Sequence, residues 1–422
     1  MKIYDLKTAF GLSMESLYLD GTLGFEEVFG EDTDRVLEAG SVTQRPLVWL
    51  IYDDAQGAKG SFRVADARAL SAQFESAAFL NSTTDSDLNL PEQIKHYIDN
   101  VGIQVVNTAY SDWHAVLDEN RPPKWRVNVL GLGDVGGTLL TGLRMMGHGV
   151  IDQIGIFDLD PKKKRRWALE LGQILDPNVD DYPEIVELEM DDLFNCDMFV
   201  FCASRSVPKV GSSVVDVRMV QYESNSKIIE PYARMARETN FKGIFAVVSD
   251  PVDQLCYRVY KSSNVDENDS FDGLGLKPEQ VRGYGLGVMF ARASYYAHEN
   301  TIPFEMGRAF GPHGKELIVA NHPSEYDEEL SKRLTKLTVE ANLEVREAGY
   351  KPFIAPALSS GALSLINTMK GNWNDSAVML GGVYVGCRNR LTDQGVELER
   401  HTMKPELVEK LNGVVKVLKE YV

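Results

Sequence analysis

The sequence predicts an α/β protein organised around a doubly wound parallel sheet. Strand and helix patterns alternate from Lys124 onward, an order that places parallel strands side by side with helices on both faces. An apolar run at residues 127–130 leads through a turn with three glycines into a helical pattern at 138–146. A second apolar run at residues 153–157 ends on an acid, Asp158. Together these observations favour a sheet that binds a ligand across the carboxyl ends of its strands.

The glycine-rich turn, Gly-Leu-Gly-Asp-Val-Gly from residue 131, is typical of a dinucleotide site. Gly131 permits a tight turn, Gly133 lets backbone approach a pyrophosphate, and Gly136 lets the helix pack on the strand. The helix N-terminus offers N–H groups to the phosphates, and a carboxylate at Asp158 can accept ribose hydroxyls. We therefore predict a Rossmann-type site for NAD, with a purely structural turn as the alternative. The predicted cofactor contacts are Gly131, Gly133, Asp134, Val135, Gly136, Asp158, Cys202 and Ala203.

The choice of NAD over NADP follows from Asp158, because a carboxylate repels a 2′-phosphate. A basic run, residues 162–166, could soften that preference. Such a run at the start of a helix is usually a solvated face, so NAD remains the prediction.

Composition and charge exclude several classes of partner. The chain has 422 residues, 44% of them hydrophobic, which suffices for two or three domains with their own cores. A net charge of −18 argues against nucleic acid and anionic membrane, because both would repel an acidic surface. No apolar run approaches the ~18 residues of a membrane span, and the N-terminus lacks a basic-then-apolar signal. The four cysteines show neither a zinc spacing nor a disulfide framework. We expect a cytoplasmic protein with buried free thiols and no metal.

The first part of the chain is predicted to be a separate small α/β module of unknown role. Residues 1–120 hold 20 Asp+Glu and 8 Lys+Arg, and so carry −12 of the −18 charge. The prolines at 122 and 123 predict a stiff junction after it. We divide the chain into this module at 1–123, a Rossmann domain at 124–283 and an α+β substrate domain at 284–422. Within the module we predict strands at 47–52 and 102–106 and helices at 65–79 and 91–100. Beyond it we predict further strands at 198–202 and 244–248 and helices at 163–175, 217–237, 252–261, 324–348 and 404–422.

Five motifs occur in register between Lys124 and the C-terminus. They are Gly-Leu-Gly-Asp-Val-Gly-Gly at 131, Phe-Asp at 157, Val-Ser-Asp-Pro-Val-Asp at 248, Gly-Tyr-Gly-Leu-Gly-Val-Met-Phe-Ala-Arg at 283 and Gly-Pro-His-Gly at 311. On these motifs about 300 residues resemble the lactate and malate dehydrogenase family, whereas the first 120 residues have no counterpart in it. The resemblance implies NAD-dependent hydride transfer between a small 2-hydroxy acid and its 2-oxo acid. It also implies a homo-oligomer, a dimer or tetramer.

The same resemblance implies roles for three side chains. His313 matches the family histidine that exchanges a proton with the substrate, a task that suits imidazole because it titrates near neutral pH. Arg292 matches the arginine that binds the substrate carboxylate, for which a guanidinium offers two parallel donors. Arg218 matches an arginine that polarises the reacting carbonyl. The loop before Arg218 is longer than in the family, so Arg205 is its competitor. A structural histidine and solvated arginines are the other interpretations.

Substrate choice is predicted to depend on the loop at residues 206–216. Its Lys209 could meet a second carboxylate and favour a dicarboxylic acid such as oxaloacetate, although a lysine on such a loop is more often solvated. Ser359 or Ser360 is expected on the opposite wall of the pocket, where small polar groups do not select a substrate. The identity of the acid therefore stays open.

Two positions depart from the family pattern. Met289 stands where the family has an aspartate that orients the histidine, and a thioether cannot take that role. Asp250 stands where the family has an asparagine, so an acceptor-only carboxylate replaces an amide. We hypothesise that Asp250 supplies the negative charge from another direction and pairs with His313. A carboxylate oxygen more than about 6 Å from both ring nitrogens would contradict this pairing.

Three functions are compatible with these observations. The first is an NAD-dependent 2-hydroxy acid dehydrogenase whose catalytic residues are His313, Arg218, Arg292 and Asp250. The second is an NAD-binding regulatory protein that has lost efficient chemistry, for which the residues at 289 and 250 argue. The third is a dehydrogenase of a different small acid, with the longer loop reshaping the pocket. We favour the first.

Overall fold

The chain forms two compact units in this computed structural model, which describes residues 1–6, 8–14, 17, 45–118, 120–204 and 217–421. Unit 1 comprises Met1–Arg121 and Leu391–Thr402, and unit 2 comprises Pro122–Arg390 and Met403–Val422. The segment Leu391–Thr402 was expected in the substrate domain, and the structure places it in unit 1 instead.

The elements follow one another in a mixed α/β order. The strands are β1 (Lys2–Asp5), β2 (Phe10–Ser13), β3 (Leu47–Ile51), β4 (Ser61–Val64), β5 (Ile103–Asn107), β6 (Trp125–Leu130), β7 (Ile151–Phe157), β8 (Glu184–Glu187), β9 (Met198–Phe201), β10 (Ile244–Val247), β11 (Val281–Gly283), β12 (Arg308–Phe310), β13 (Ile318–Ala320), β14 (Asn374–Leu380), β15 (Val383–Thr392) and β16 (Gly395–Leu398). The helices are α1 (Glu92–Val101), α2 (Asp134–Met146), α3 (Pro161–Gly172), α4 (Val217–Glu238), α5 (Val252–Ser263), α6 (Leu286–Glu299), α7 (Glu328–Glu347), α8 (Ser364–Lys370) and α9 (Pro405–Lys419).

Unit 1 is built on a mixed sheet with the strand order β1-β2-β3-β5-β4-β16. β2, β3 and β5 run parallel, and β1 and β4 are antiparallel to their neighbours β2 and β5. β16 pairs parallel with β4, and this ladder is the reason that a C-terminal segment belongs to unit 1. No local pattern at residues 391–402 indicates such a partner, because strand pairing is decided by distant residues.

The helix predicted at residues 65–79 is wrong. Two short 3₁₀ turns, Ala67–Ser71 and Ala77–Leu80, occupy this stretch. The Asp66 carboxylate accepts from the N–H of Arg68, and the Ser76 hydroxyl accepts from the N–H of Ala78. Such local side-chain bonds compete with a continuous α-helical ladder, so the apolar residues lie on two turns rather than one helix.

Unit 2 contains the doubly wound sheet that the sequence predicts. Six parallel strands lie in the order β8-β7-β6-β9-β10-β11, and β14 and β15 extend the sheet in antiparallel pairing. Numbered from β6, this is the 3-2-1-4-5-6 order of dinucleotide-binding domains. The order reverses between β6 and β9, which places a crevice at the carboxyl ends of these two strands.

Aromatic side chains form much of the core of this sheet. Phe199 on β9 lies with its ring centroid 4.9 Å from that of Phe245 on β10 and 6.2 Å from that of Tyr232 on α4. Phe199 and Phe245 are completely buried, and full burial of such a side chain contributes about 1.5–3 kcal/mol. This packing holds α4 against the strands whose ends carry the candidate site.

The rest of unit 2 packs around α6. Buried residues of α6, β12, β13 and α7 form an apolar cluster that includes Leu286, Met289, Ala309, Val319 and Leu334. A wide helical turn at Pro356–Leu363 leads into α8. Most predicted elements of this unit are present with bounds shifted by a few residues. The strand β8 was missed because its Glu-Ile-Val-Glu sequence lacks an apolar run.

Two further properties concern membrane-spanning helices and the cysteines. None of the helices in the described ranges is both long and apolar enough to cross a membrane. All four cysteines are free thiols, and Cys196, Cys256 and Cys387 are buried.

Candidate functional site

The glycine-rich turn between β6 and α2 has the shape of a phosphate cradle. Gly131 has φ of +96°, and a Cβ there would lie 2.6 Å from the backbone nitrogen of Ala203. A Cβ on Gly136 would lie 1.9 Å from the carbonyl oxygen of Gly131, so only glycine permits this approach of helix to strand. Gly133 faces open space, with no atom within 4 Å of an added Cβ. The backbone at Gly133 is therefore accessible to a ligand at the start of α2. Asp134 and Val135 belong to the first turn of this helix, and the N–H groups of a first turn have no intrahelical partner.

Asp158 lies beside this turn at the end of β7. Its Oδ2 accepts from the N–H of Leu132 at 3.0 Å and its Oδ1 accepts from the N–H of Asp160 at 2.9 Å. These bonds fix the carboxylate, and each oxygen keeps a second lone pair for a ribose hydroxyl. From the basic run, the Nζ of Lys163 lies 3.6 Å from Oδ2 of Asp158. The neighbouring Lys164, Arg165 and Arg166 instead pair with Glu189, Glu187 and Glu170.

The opposite side of the crevice is formed by the residues after β9. Cys202 and Ala203 are partly exposed and follow Phe201 directly. The hydroxyl of Ser249, at the end of β10, donates to the Ala203 carbonyl at 2.7 Å and so joins the two strand ends. An open cradle, a helix N-terminus and a fixed acid together fit the pyrophosphate and ribose of a dinucleotide.

His313 and Asp250 are brought together from distant elements. Asp250 follows β10 and precedes Pro251 across a cis peptide bond, while His313 follows β12 in a turn that starts at Gly311 with φ of +87°. The Nδ1 of His313 lies 3.0 Å from Oδ1 of Asp250, well inside the distance that the pairing hypothesis requires. The His313 side chain is 19% exposed and that of Asp250 is 46% exposed. The Asn225 side chain on α4 donates to the Asp250 carbonyl at 2.7 Å and holds this loop.

A second carboxyl group lies beneath the same turn. Asp253, in the first turn of α5, is buried, and its Oδ2 accepts from the backbone N–H of His313 at 3.3 Å. Burial raises the pKa of Asp253 to about 7, although the hydrogen bond and the proximity of His313 act in the opposite direction. The sequence analysis did not single out this residue. The Asp-Pro-Val-Asp spacing was the available signal, because it places Asp253 in the first turn of the helix that follows Asp250.

Arg292 lies on α6, one turn after Met289. Met289 is 2% exposed, and its sulfur lies 3.7 Å from Nη1 of Arg292. Among the residues that the structure describes, Arg292 forms no ion pair with a carboxylate. Burial lowers the pKa of Arg292, and Coulombic interactions with Tyr296 and Asp250 act in the opposite direction. Asp250 is therefore close enough to influence both the imidazole and the guanidinium.

The remaining predicted residues have different outcomes. Ser360 is buried, donates to the Gly285 carbonyl at 2.7 Å and accepts from the N–H of Val288 at 2.8 Å, so it fixes the start of α6. Ser359 is partly exposed next to it. Lys209 and its loop, together with Arg205, lie outside the described residues, and Arg218 is described only as a backbone position of α4.

The fold and the cradle thus define a dinucleotide-binding protein of the doubly wound class. Comparison with known proteins indicates which family of this class the chain resembles. Residues 125–272 match the family model described as lactate/malate dehydrogenase, NAD binding domain. This part of the chain is therefore similar to the NAD-binding domain of the lactate/malate dehydrogenase family. The match confirms the predicted cofactor, NAD, at the level of the family.

Two curated relatives match longer stretches of the chain. An L-lactate dehydrogenase of Corynebacterium glutamicum is 29% identical over 218 residues, which are 50% of this chain and 62% of that protein. An L-lactate dehydrogenase of Halalkalibacterium halodurans is 26% identical over 318 residues, 70% of this chain and 96% of that protein. The chain thus spans less than two thirds of the length of the first relative and nearly the whole of the second.

A solved structure supports the fold assignment. The malate dehydrogenase of Archaeoglobus fulgidus, determined in complex with NADH, superimposes with a TM-score of 0.57 at 20% identity. The superposition covers 70% of this chain and 98% of that structure. At this identity the likeness concerns the fold alone.

Proposed function

We propose that this protein is an NAD-dependent dehydrogenase that interconverts a small 2-hydroxy acid and its 2-oxo acid. The observation that carries the proposal is the 3.0 Å contact between Nδ1 of His313 and Oδ1 of Asp250. It provides an imidazole–carboxylate pair although Met289 stands where the family has its aspartate. The contact favours an active enzyme over the regulatory alternative, because the carboxylate missing from α6 is supplied by the β10 loop.

His313 is the acid and base of the proposed reaction. NAD, when bound, supplies the hydride acceptor for oxidation and, in its reduced form, the donor for the reverse direction. Nδ1–H of His313 donates to Asp250, which leaves the lone pair of Nε2 available to the substrate. Nε2 accepts the hydroxyl proton as the alcohol is oxidised and returns it to the carbonyl oxygen in reduction. The carboxylate of Asp250 stabilises the imidazolium in between.

Arg292 is the carboxylate clamp of this proposal. Its guanidinium is partly buried and has no carboxylate partner among the described residues, so an anionic substrate gains a charge-assisted, two-point contact there. Met289 leaves that contact without an internal competitor on the same helix.

Three finer assignments are part of the same proposal. Arg218 polarises the reacting carbonyl, and Lys209 decides between a monocarboxylic and a dicarboxylic acid. Ser359 lines the far wall of the substrate pocket. The protein acts as a homo-oligomer, as the family resemblance implies.

The test combines cofactor binding with a substrate panel. NADH binding is followed by fluorescence, and NADH oxidation is then assayed with pyruvate, oxaloacetate and bulkier aromatic or branched 2-oxo acids. We expect binding and turnover of at least one acid. His313→Ala is expected to abolish turnover with little change in NADH affinity, whereas His298→Ala, at a histidine whose side chain is 88% exposed on α6, should leave both unchanged. NADH binding without turnover of any acid would favour the regulatory alternative.

Arg292→Ala separates substrate binding from proton transfer. Loss of a charge-assisted pair is expected to lower kcat/KM by about 10²-fold, since such a contact contributes roughly 3 kcal/mol. The loss should appear mainly in KM for the 2-oxo acid. An unchanged KM would remove Arg292 from the proposed site.

A further inference from the structure

Unit 2 contains a pocket of about 440 Å³ that none of the predicted NAD or substrate contacts lines. Its walls come from α7, from β13 with the loop before it, and from α9. A volume of this size is typical of small-molecule sites, which range over roughly 300–1,000 Å³. The pocket is thus large enough for a metabolite and too small for a folded partner.

Positive charge dominates the lining. Lys315, Lys332, Lys336 and Lys410 line the pocket, and Glu340 is the single acid among the lining residues. This excess stands out in a chain with a net charge of −18. The pocket therefore selects for anions on an otherwise acidic protein.

Two of these lysines are partly neutralised and two are not. The Nζ of Lys332 lies 3.1 Å from carboxylate oxygens of both Glu328 and Glu329, and the Nζ of Lys410 lies 3.3 Å from Glu328. Lys315 and Lys336 form no ion pair within the described part of the chain. Two ammonium groups without a counter-ion at one pocket match a ligand with at least two negative charges.

We propose that this pocket binds a small anion with two or more negative charges, of the phosphorylated or polycarboxylate class. The apolar side chains of Leu317 and Val339 line the same pocket and suit the carbon skeleton of such a molecule. The site is distinct from the NAD cradle and from Arg292, so it does not depend on the catalytic assignment.

The pocket is connected to the His313 turn by short contacts. Lys315 is two residues beyond His313 in sequence. The Ser331 hydroxyl on α7 donates to the Val319 carbonyl at 2.6 Å, and the Thr335 hydroxyl accepts from the Val319 N–H at 3.0 Å. β13, which contains Val319, pairs with β12, whose end leads into the turn. An anion held by Lys315 therefore biases the position of His313, and this part of the proposal rests on the proposed function.

The test is a calorimetric titration of the full chain, without NAD or 2-oxo acid, with pyrophosphate in one arm and citrate in the other. We expect binding of at least one anion, and the preferred arm identifies the ligand class. Lys315→Gln with Lys336→Gln is expected to weaken binding by at least about tenfold, the effect of losing one charge-assisted contact. The control, Lys242→Gln with Lys416→Gln, removes the same charge from exposed positions outside the pocket and should bind as the wild type does.

Two results would overturn the site. One is an equal weakening of anion binding in both double variants, which would indicate only a general effect of the protein's charge. The other is loss of anion binding in Arg292→Gln or in Gly136→Ala, which would place the anion at the substrate clamp or at the NAD cradle. The link to His313 has its own readout, the NMR resonance of the His313 ring assigned with His313→Ala. It should shift on anion addition in the wild type and stay fixed in Lys315→Gln with Lys336→Gln, and an unshifted wild-type resonance would disprove the link.

Discussion

His313 receives a carboxylate from the loop after β10, with Oδ1 of Asp250 lying 3.0 Å from Nδ1 of the ring. Met289 on α6, which the sequence analysis aligned with the family's aspartate, is buried in an apolar cluster. The carboxylate partner of the imidazole thus comes from the loop after β10 and not from α6.

Asp250→Asn should impair turnover strongly. An amide cannot stabilise the imidazolium, and it can leave the ring in the wrong tautomer, so kcat/KM should fall by about 10²-fold or more. NADH affinity, measured by fluorescence titration, should change little because Asp250 is remote in sequence and role from the cradle. Asp152→Asn, at an exposed aspartate on β7, serves as the control and should behave as wild type. Wild-type kinetics in Asp250→Asn would mean that the contact has no catalytic role.

Adding Met289→Asp to Asp250→Asn should restore part of the lost activity. A Cβ on Gly285 would lie 3.0 Å from Cβ of His313, and residue 289 follows one turn later on the same face of α6. A carboxylate there returns negative charge to the histidine from the side that the family uses. We expect kcat/KM to recover by about tenfold, equivalent to roughly 1.4 kcal/mol. Met289→Leu in the same background supplies no charge, so recovery there would contradict the electrostatic explanation.

Asp253→Asn should change how stability depends on pH. Burial raises the pKa of Asp253 to about 7 from its ordinary value of 3.8, so the folded state retains this proton where the unfolded state loses it. The resulting stabilisation is complete below the unfolded pKa and is lost as pH rises through the folded pKa, by up to about 1.4 kcal/mol per pH unit. Urea unfolding at several pH values between 4 and 8 measures this window. The free energy of unfolding of Asp253→Asn relative to wild type should rise across it, and a constant difference would show that Asp253 does not titrate there.

Gly136→Ala should disrupt the NAD cradle. The added methyl group would lie 1.9 Å from the Gly131 carbonyl oxygen, so either the turn or the start of α2 has to move. NADH affinity should fall at least about tenfold, because the pyrophosphate depends on that geometry. Gly172→Ala is a matched control on α3, where an added Cβ meets no atom within 4 Å. It should leave NADH binding intact and stabilise the helix by about 0.5–1 kcal/mol.

Local sequence was sufficient to predict the glycine-rich turn between β6 and α2 and the acid at the end of β7. The glycines at 131, 133 and 136 and the acid at 158 act through backbone conformation and strand order, and both follow from short-range pattern. The positions of β6, α2 and β7 were predicted within a few residues for the same reason. The prediction of a helix at residues 65–79 failed because the side chains of Asp66 and Ser76 accept hydrogen bonds from nearby backbone N–H groups. An apolar periodicity does not reveal such bonds.

The sequence by itself determined the doubly wound sheet predicted for residues 124–283 and its glycine-rich turn, since glycine conformation and alternating strands and helices are properties of neighbouring residues. It also suggested, without deciding it, that Asp250 pairs with His313. Tertiary structure alone decided that contact, the buried Asp253 beneath it and the lysine pocket beyond it. Each depends on residues tens of positions apart, whose distances and desolvation are set by packing and cannot be read from local pattern.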